Sequence, residues 1–288
     1  MKTIRFLTLV ALPILLAMQV GAQEFKHEAQ PLFQNCADGS YERALKDGIT
    51  LGFSPSPPYT FLDSKTKKPM GIDWEINVAA LEWMGVTDIR YEIMPWNSLI
   101  PSILSKRIDV ITANIHITPD RIKVISFTGP AWWYGPAIIT KKGNPFGIKS
   151  YDDLKGRKVG AISGSAADEY LRHIGADVAP FQTDLEEFTS IQQGRVDVIL
   201  EDDVKFAEYL KSNPDVNLEV IPGIDIPDEL IYNYGYGYAR YAVRIEDCSL
   251  RAAFTQALAE VRGNGKVSNI LKKWGLSNRN LFWFPVCK

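Results

Sequence analysis

Cysteine and histidine are scarce in this chain of 288 residues, three of each. Cys36, Cys248 and Cys287 lie too far apart for a zinc or thioredoxin-type motif, and no run has metal-ligand spacing, so neither a metal nor any other cofactor is expected. No phosphate-binding loop and no nucleophile elbow occurs, and no catalytic residue is assigned. Gly235-Tyr236-Gly237-Tyr238 lacks the further glycine and helix that a dinucleotide loop requires. An excess of one charge is also missing. Lys and Arg number 32 against 34 Asp and Glu, the net charge is −2, and the basic residues are dispersed. Such a surface offers no basic field to a phosphate backbone or an anionic membrane, which argues against nucleic acid as a partner.

Crossing a bilayer takes about 20 apolar residues. The one extended apolar run, residues 6–20, follows Lys2 and Arg5 and ends at Val20-Gly21-Ala22, whose small residues suit signal peptidase. Residues 1–22 therefore read as a cleaved signal peptide, with the mature chain beginning near Gln23. No cysteine stands at the cleavage point to carry a lipid, so the expected location is the periplasm, free of the membrane. With 46% apolar residues the mature chain can bury a normal core.

Past an N-terminal extension, 23–44, strand and helix patterns alternate. Residues 49–53 read as a strand, 74–84 as a helix ending at Gly85, 89–94 as a strand, 98–105 as a helix and 108–113 as a buried strand. The rhythm restarts after Lys155-Gly156, with strand 158–162, helix 166–174, helix 185–193, strand 196–200 and helix 204–211. An α/β fold of two lobes follows. The first lobe is expected over 45–135 plus 240–288, including helices 250–261 and 267–274, and the second over 142–234. Residues 136–141 and 235–239 would be the two hinge crossings, a connection that lets lobes close on a ligand. An oxidising compartment permits one disulfide. Cys248 with Cys287 is the expected pair because both fall in the first lobe, which leaves Cys36 as an odd thiol; three reduced cysteines are the alternative.

Several motifs stand in a characteristic order: Gly52 to Phe61, Gly71-Ile72-Asp73-Trp74-Glu75, Trp96-Asn97-Ser98-Leu99, Ile117-Thr118-Pro119-Asp120-Arg121, Phe127-Thr128-Gly129-Pro130 and Gly194-Arg195-Val196-Asp197. Over about residues 41–276 the chain resembles the extracellular solute-binding proteins, family 3, which serve polar amino-acid ABC transporters. Some spellings are similar to the ectoine-binding branch. The resemblance implies a type II periplasmic-binding-protein fold and a monomer that delivers a small zwitterionic, amino-acid-like solute to an ABC permease in the inner membrane. No covalent chemistry is implied.

The resemblance also implies roles for single residues. Arg121 would grip the ligand carboxylate, a task that suits the guanidinium fork. In the turn Ser163-Gly164-Ser165-Ala166, Ser165 and the amide of Ala166 would meet the same carboxylate at a helix start. Asp202, at the end of a strand, would receive the ammonium group, with Glu201 and Asp203 in reserve. Trp96 would wall the pocket, and Tyr59 and Trp74, with Trp132 and Trp133, could complete an aromatic box. Asn114 and His116 would lie on the cleft rim. Three positions depart from the familiar patterns: Ser56 stands where the ectoine branch has an acid, His116 where a hydroxyl or aromatic residue is usual, and Ala166 where a threonine is usual. A prephenate- or arogenate-type dehydratase on the same scaffold, or a sensory ligand-binding module, are the alternative readings.

Overall fold

A computed structural model describes residues 36–282. The expected signal peptide, and Cys287, lie outside the described residues. The fold is mixed α/β with two five-stranded open sheets. The first has the order Ile89–Ile93, Ile49–Phe53, Val110–Ile111, Ala242–Arg244, Ile125–Phe127. Its first three strands are parallel, and Ala242–Arg244 is antiparallel to both its neighbours. The second has the order Asp177–Phe181, Lys158–Ile162, Val198–Asp202, Pro136–Lys141, Leu218–Val220, again with three parallel strands first. Central strands such as Ile49–Phe53 and Val198–Asp202 are buried on both faces because helices cover both sides of a parallel sheet.

Helices begin where side chains satisfy their first amides. Ser165 accepts from the amide of Asp168 ahead of helix Ala166–His173, and Thr183 with Glu186 forms a capping box ahead of Asp184–Gln192. The Thr118-Pro119-Asp120-Arg121 run opens only a 3-10 turn, Arg121–Lys123. Thr118 Oγ1 still accepts from the Arg121 amide at 3.3 Å.

The connection between the sheets differs from the expectation in one place. Residues 136–141 are a full strand of the second sheet, with registers to both Val198–Asp202 and Leu218–Val220. The two-stranded ribbon formed as the chain passes between the sheets pairs Trp132–Trp133 with Tyr238–Ala239. Pro136 begins the strand and Gly135 precedes it, so the apolar run 137–139 is buried in a sheet instead of spanning a gap.

The disulfide expectation is corrected. Cys248 bonds to Cys36, not to Cys287. Helix Ser40–Asp47 lies against helix Cys248–Gly263, and a polar clasp holds their starts together. Asp38 accepts from the Ser249 amide at 2.8 Å and from its hydroxyl at 2.9 Å, while Ser40 Oγ accepts from the Leu250 amide at 2.9 Å. Burial opposes ionisation of Asp38, but the hydrogen bonds from Ser40 and Ser249 outweigh it and hold its pKa down at about 2.

Asp73 is fully buried at the start of helix Ile72–Met84. Its Oδ1 accepts from Trp132 Nε1 at 2.7 Å and Tyr241 Oη at 3.0 Å, while Oδ2 meets no partner. Burial raises its pKa to about 7 despite these two donors. The first sheet's helix is thereby tied to Trp132 in one strand of the connecting ribbon and to Tyr241, just past the other strand.

Cys36→Ser is expected to cost about 2–4 kcal/mol of stability in denaturant unfolding, because the bond closes a loop of sequence separation 212. Cys287→Ser should cost nothing measurable, and a disulfide peptide containing Cys287 would contradict the pairing. A second expectation follows from Asp73, which is neutral in the fold below about 7 and ionised in the unfolded chain above 3.8. Its contribution is present at low pH and lost as pH rises through about 7. Asp73→Asn keeps the acceptor neutral, so the melting temperature of the variant should gain on the native protein between pH of about 5 and about 8. A gap constant over that range would refute a protonated Asp73.

Candidate functional site

A cavity of about 670 Å³ opens between the two sheets, at the carboxyl ends of their parallel strands. This is where open α/β sheets place ligands, because chain direction there brings loops and helix starts together. Ile49–Phe53 runs into Ser56 and Tyr59, Val110–Ile111 into Asn114 and His116, Lys158–Ile162 into Ser165, and Val198–Asp202 ends on Asp202.

Gly71 sets the position of Tyr59. Its φ of 121° is accessible to glycine alone among ordinary residues, and a Cβ there would stand 2.2 Å from the Tyr59 carbonyl oxygen. This close approach lets the amides of Ile72 and Asp73 donate to the carbonyls of Pro58 and Tyr59, each at 2.9 Å. The Tyr59 ring then packs on Trp132 and Tyr134, and its hydroxyl donates to Asp202 Oδ2 at 2.8 Å across the cavity. Ser56 Oγ makes a second crossing bond, to Asp184 Oδ2 at 2.8 Å.

Asp202 is buried with Glu201 beside it. Burial pushes Asp202 up to about 6, against the pull of the Lys205 ammonium and the Tyr59 and Tyr236 hydroxyls. Burial likewise pushes Glu201 up to about 7, again against Lys205. Lys205, on the first turn of helix Asp203–Ser212, reaches Glu201 at 3.1 Å, Asp184 at 3.3 Å and Asp202 at 4.0 Å. Its ammonium also stands 5.8 Å from the centroid of the Tyr59 ring. Carboxylate oxygens of Asp184, Glu187 and Glu201 come within 4.8 Å of one another, a spacing that could hold a metal ion, and Lys205 supplies positive charge to two of the three.

His116 is buried, stacked on Tyr236 with ring centroids 4.3 Å apart. Burial, helped by Arg121 and Lys205, holds its pKa well below the usual histidine range, so the ring is neutral. The Tyr134 hydroxyl sits between His116 Nε2 and Asn114 Oδ1. Asn114 carries a φ of 51° and turns the chain away from its strand, which brings its side chain to the cavity.

Of the residues expected at a ligand, Ser56, Tyr59, Trp96, Asn114, His116, Ser165 and Asp202 line this cavity. Arg121 lines a smaller one of about 280 Å³, which shares Trp96 with the first. Its guanidinium lies 5.5 Å from the Trp96 ring centroid and donates to the carbonyls of His116 at 2.9 Å and Gly164 at 2.7 Å. Burial lowers its pKa to about 10, which leaves it charged at neutral pH. Ala166 and Trp74 do not line the cavity. Ala166 turns its methyl into the core while Ala167 faces the cavity, and Trp74 packs edge-on against Phe53 and Tyr91.

Residues 49–277 match the family described as bacterial extracellular solute-binding proteins, family 3. The chain belongs to this family. It is 30% identical over 236 residues to the lysine/arginine/ornithine-binding periplasmic protein of Escherichia coli (strain K12), covering 80% of this chain and 88% of that protein. The solved structure of an ancestral arginine-binding protein bound to arginine superposes with a TM-score of 0.67 at 30% identity, covering 78% of this chain and 97% of the other. EhuB in complex with hydroxyectoine, at 24% identity and a TM-score of 0.72 over 83% of this chain and 93% of its own, shares the fold. Among the described residues no helix is long and apolar enough to cross a membrane.

Sequence reasoning gives no ligand role to three residues that shape the charge and stacking of the cavity, Tyr236, Asp184 and Lys205. Tyr236 was assigned to a hinge strand, yet it stacks on His116 and faces Asp202. Asp184 sits at the start of a capped helix, where an acid ordinarily serves the helix dipole. Lys205 carried a faint signal, since Glu201 and Lys205 are four residues apart and straddle a strand-to-helix turn.

Tyr59→Phe leaves a buried carboxylate short of a donor, and we expect it to cost about 1–3 kcal/mol in chemical unfolding. Combined with Ser56→Ala it should raise the radius of gyration of the ligand-free protein in X-ray scattering. An unchanged radius would show that these crossing bonds do not hold the sheets together.

Proposed function

We propose that this chain is the periplasmic capture component of an ABC importer, holding one small zwitterionic, amino-acid-like solute in the cavity between its sheets. The observation that carries the proposal is the cavity itself: a buried acid and aromatic walls at the carboxyl ends of two sheets, in a chain of this family. The curated relatives with which it aligns over most of its length are named for lysine/arginine/ornithine, cystine, arginine and histidine. Residues 1–22 would direct export and be removed, and the mature monomer would pass its solute to a membrane permease.

In this reading Asp202 receives the ligand ammonium and Arg121 its carboxylate. Arg121 is suited to the exchange because its hydrogen bonds go to two neutral carbonyls, which a carboxylate would replace with a charge-assisted pair. Ser165 and the start of helix Ala166–His173 would share that carboxylate. Trp96 and Tyr59 would wall the ligand, with His116, Asn114 and Ser56 around its rim. Closure strengthens both charge contacts by excluding water. The protein would act as a binder, not an enzyme. Glu201 has the pKa of a usable general acid, but it is engaged by Lys205 and by the Asp202 amide at 2.8 Å.

Thermal-shift screening of amino acids, opines, betaines and ectoines tests the proposal. A solute at a hundredfold excess over its Kd should add about 2.7 kcal/mol of stability. Arg121→Ala and Asp202→Ala should each abolish most of that gain while leaving the ligand-free protein folded. Stabilisation that survives both changes would defeat the site assignment, and a flat screen across all zwitterions would defeat the reading as a whole.

A further inference from the structure

We infer that Lys205 is a built-in counter-ion that decides which solutes the cavity accepts, excluding those with a cationic side chain and admitting those whose side chain is uncharged. The inference rests on the reading of the cavity as an amino-acid site. An ammonium group has three donors, and the one on Lys205 faces three carboxylates, Glu201 at 3.1 Å, Asp184 at 3.3 Å and Asp202 at 4.0 Å. Among the described residues none of these acids has another ion-pair partner. The side chain is only 14% exposed and lies against the Tyr59 ring, so water does little to screen the cluster.

Without Lys205 the same three acids would form a floor lacking its cation, because His116 is neutral, and burial holds Glu187 behind them toward its uncharged form. Such a floor would draw a second positive charge from the ligand. With Lys205 in place that charge is already present, covalently attached and needing no ligand to deliver it. A guanidinium or ammonium on the ligand side chain would either meet a like charge or have to displace Lys205 from its partners. Repulsion of this kind is how a site rejects a near relative of its ligand. The rest of the wall carries Ile93, Met94, Pro55 and Ile162 beside uncharged polar residues such as Gln182 and Thr183, which suits an uncharged side chain.

The test is calorimetric titration of the native protein, Lys205→Met and Lys205→Arg with L-arginine, L-lysine and a panel of neutral amino acids and betaines, at one neutral pH and ionic strength. Native protein should bind its best neutral solute about tenfold or more tighter than either cationic amino acid. Lys205→Met keeps the stem and drops the charge, and should tighten arginine or lysine by about tenfold or more relative to the neutral solute. Lys205→Arg should keep the native preference. The inference is overturned if native protein takes arginine or lysine as tightly as any neutral solute, a result that needs no variant to fold. It is also overturned if folded Lys205→Met leaves the ratio unchanged. Silence of every protein toward every solute would overturn the amino-acid reading and this inference together. Arginine binding by Lys205→Met alone would support the counter-ion while removing the neutral zwitterion as the native ligand.

Discussion

A carboxylate taken out of water either finds donors and an opposite charge or takes up a proton, and the arrangement around Asp202 is organised by that constraint. Asp202 ends the central strand of the second sheet, where chain direction forces it into the gap between the sheets. Its partners come from separate parts of the chain: the Tyr59 hydroxyl from the first sheet's leading loop, the Tyr236 hydroxyl from the returning connection and the Lys205 ammonium, 4.0 Å away, from the helix that follows. Each of those segments needs its own support. Gly71 lets the Tyr59 loop press on a helix start, and Asp203 ties the Lys205 helix to Gly135, accepting from its amide at 3.0 Å and donating its own amide to the Gly135 carbonyl at 2.8 Å. The acid that would hold a ligand is thus also where the two halves of the molecule meet.

Much of this was legible in the sequence because periodicity and turn chemistry are local. The strands at 49–53 and 158–162 lie where alternation and Gly-rich turns put them, and the helix after Gly164-Ser165 starts where a serine can cap it. Expectations that needed distance went astray. Residues 136–141 carry an apolar run that could serve a crossing or a buried strand, and only the partners on either side distinguish the two. The cysteine pairing failed for the same reason. Cys287 is near Cys248 in the chain, but the Asp38, Ser40 and Ser249 clasp, built from three small polar residues with no pattern of their own, brings Cys36 to the head of helix Cys248–Gly263.

The site divides along the same line. Trp96 on its motif, Ser165 in its turn and Asp202 at its strand end reach the cavity, as do Asn114 and His116, which share a loop with a motif. Trp74 and Ala166 sit on motifs too, yet pack on the core, because a helix of about 3.6 residues per turn points only some of its first positions at the cavity and one residue of register decides which. Lys205 and Tyr236 belong to no motif. Their significance is electrostatic and appears only when the acids they answer are gathered from residues 184, 187, 201 and 202.

The two ends of the cavity system differ in how their charges are compensated, and this asymmetry bears on how a ligand could enter. At the Arg121 end the guanidinium rests on two carbonyls, one from each half of the molecule, so a carboxylate arriving there exchanges neutral acceptors for an ionic one. At the Asp202 end an ammonium must compete with a cation already in place, and Asp202 retains a pKa near 6 even with that cation beside it. Were a zwitterion to bind as proposed, charge attraction would favour its carboxylate docking first, with the ammonium following as Lys205 leaned toward Glu201 and Asp184, the two acids it already approaches more closely. The shorter distances to those acids would make that shift small, and the 2.8 Å bond from the Tyr59 hydroxyl to Asp202, which joins the halves, does not depend on it.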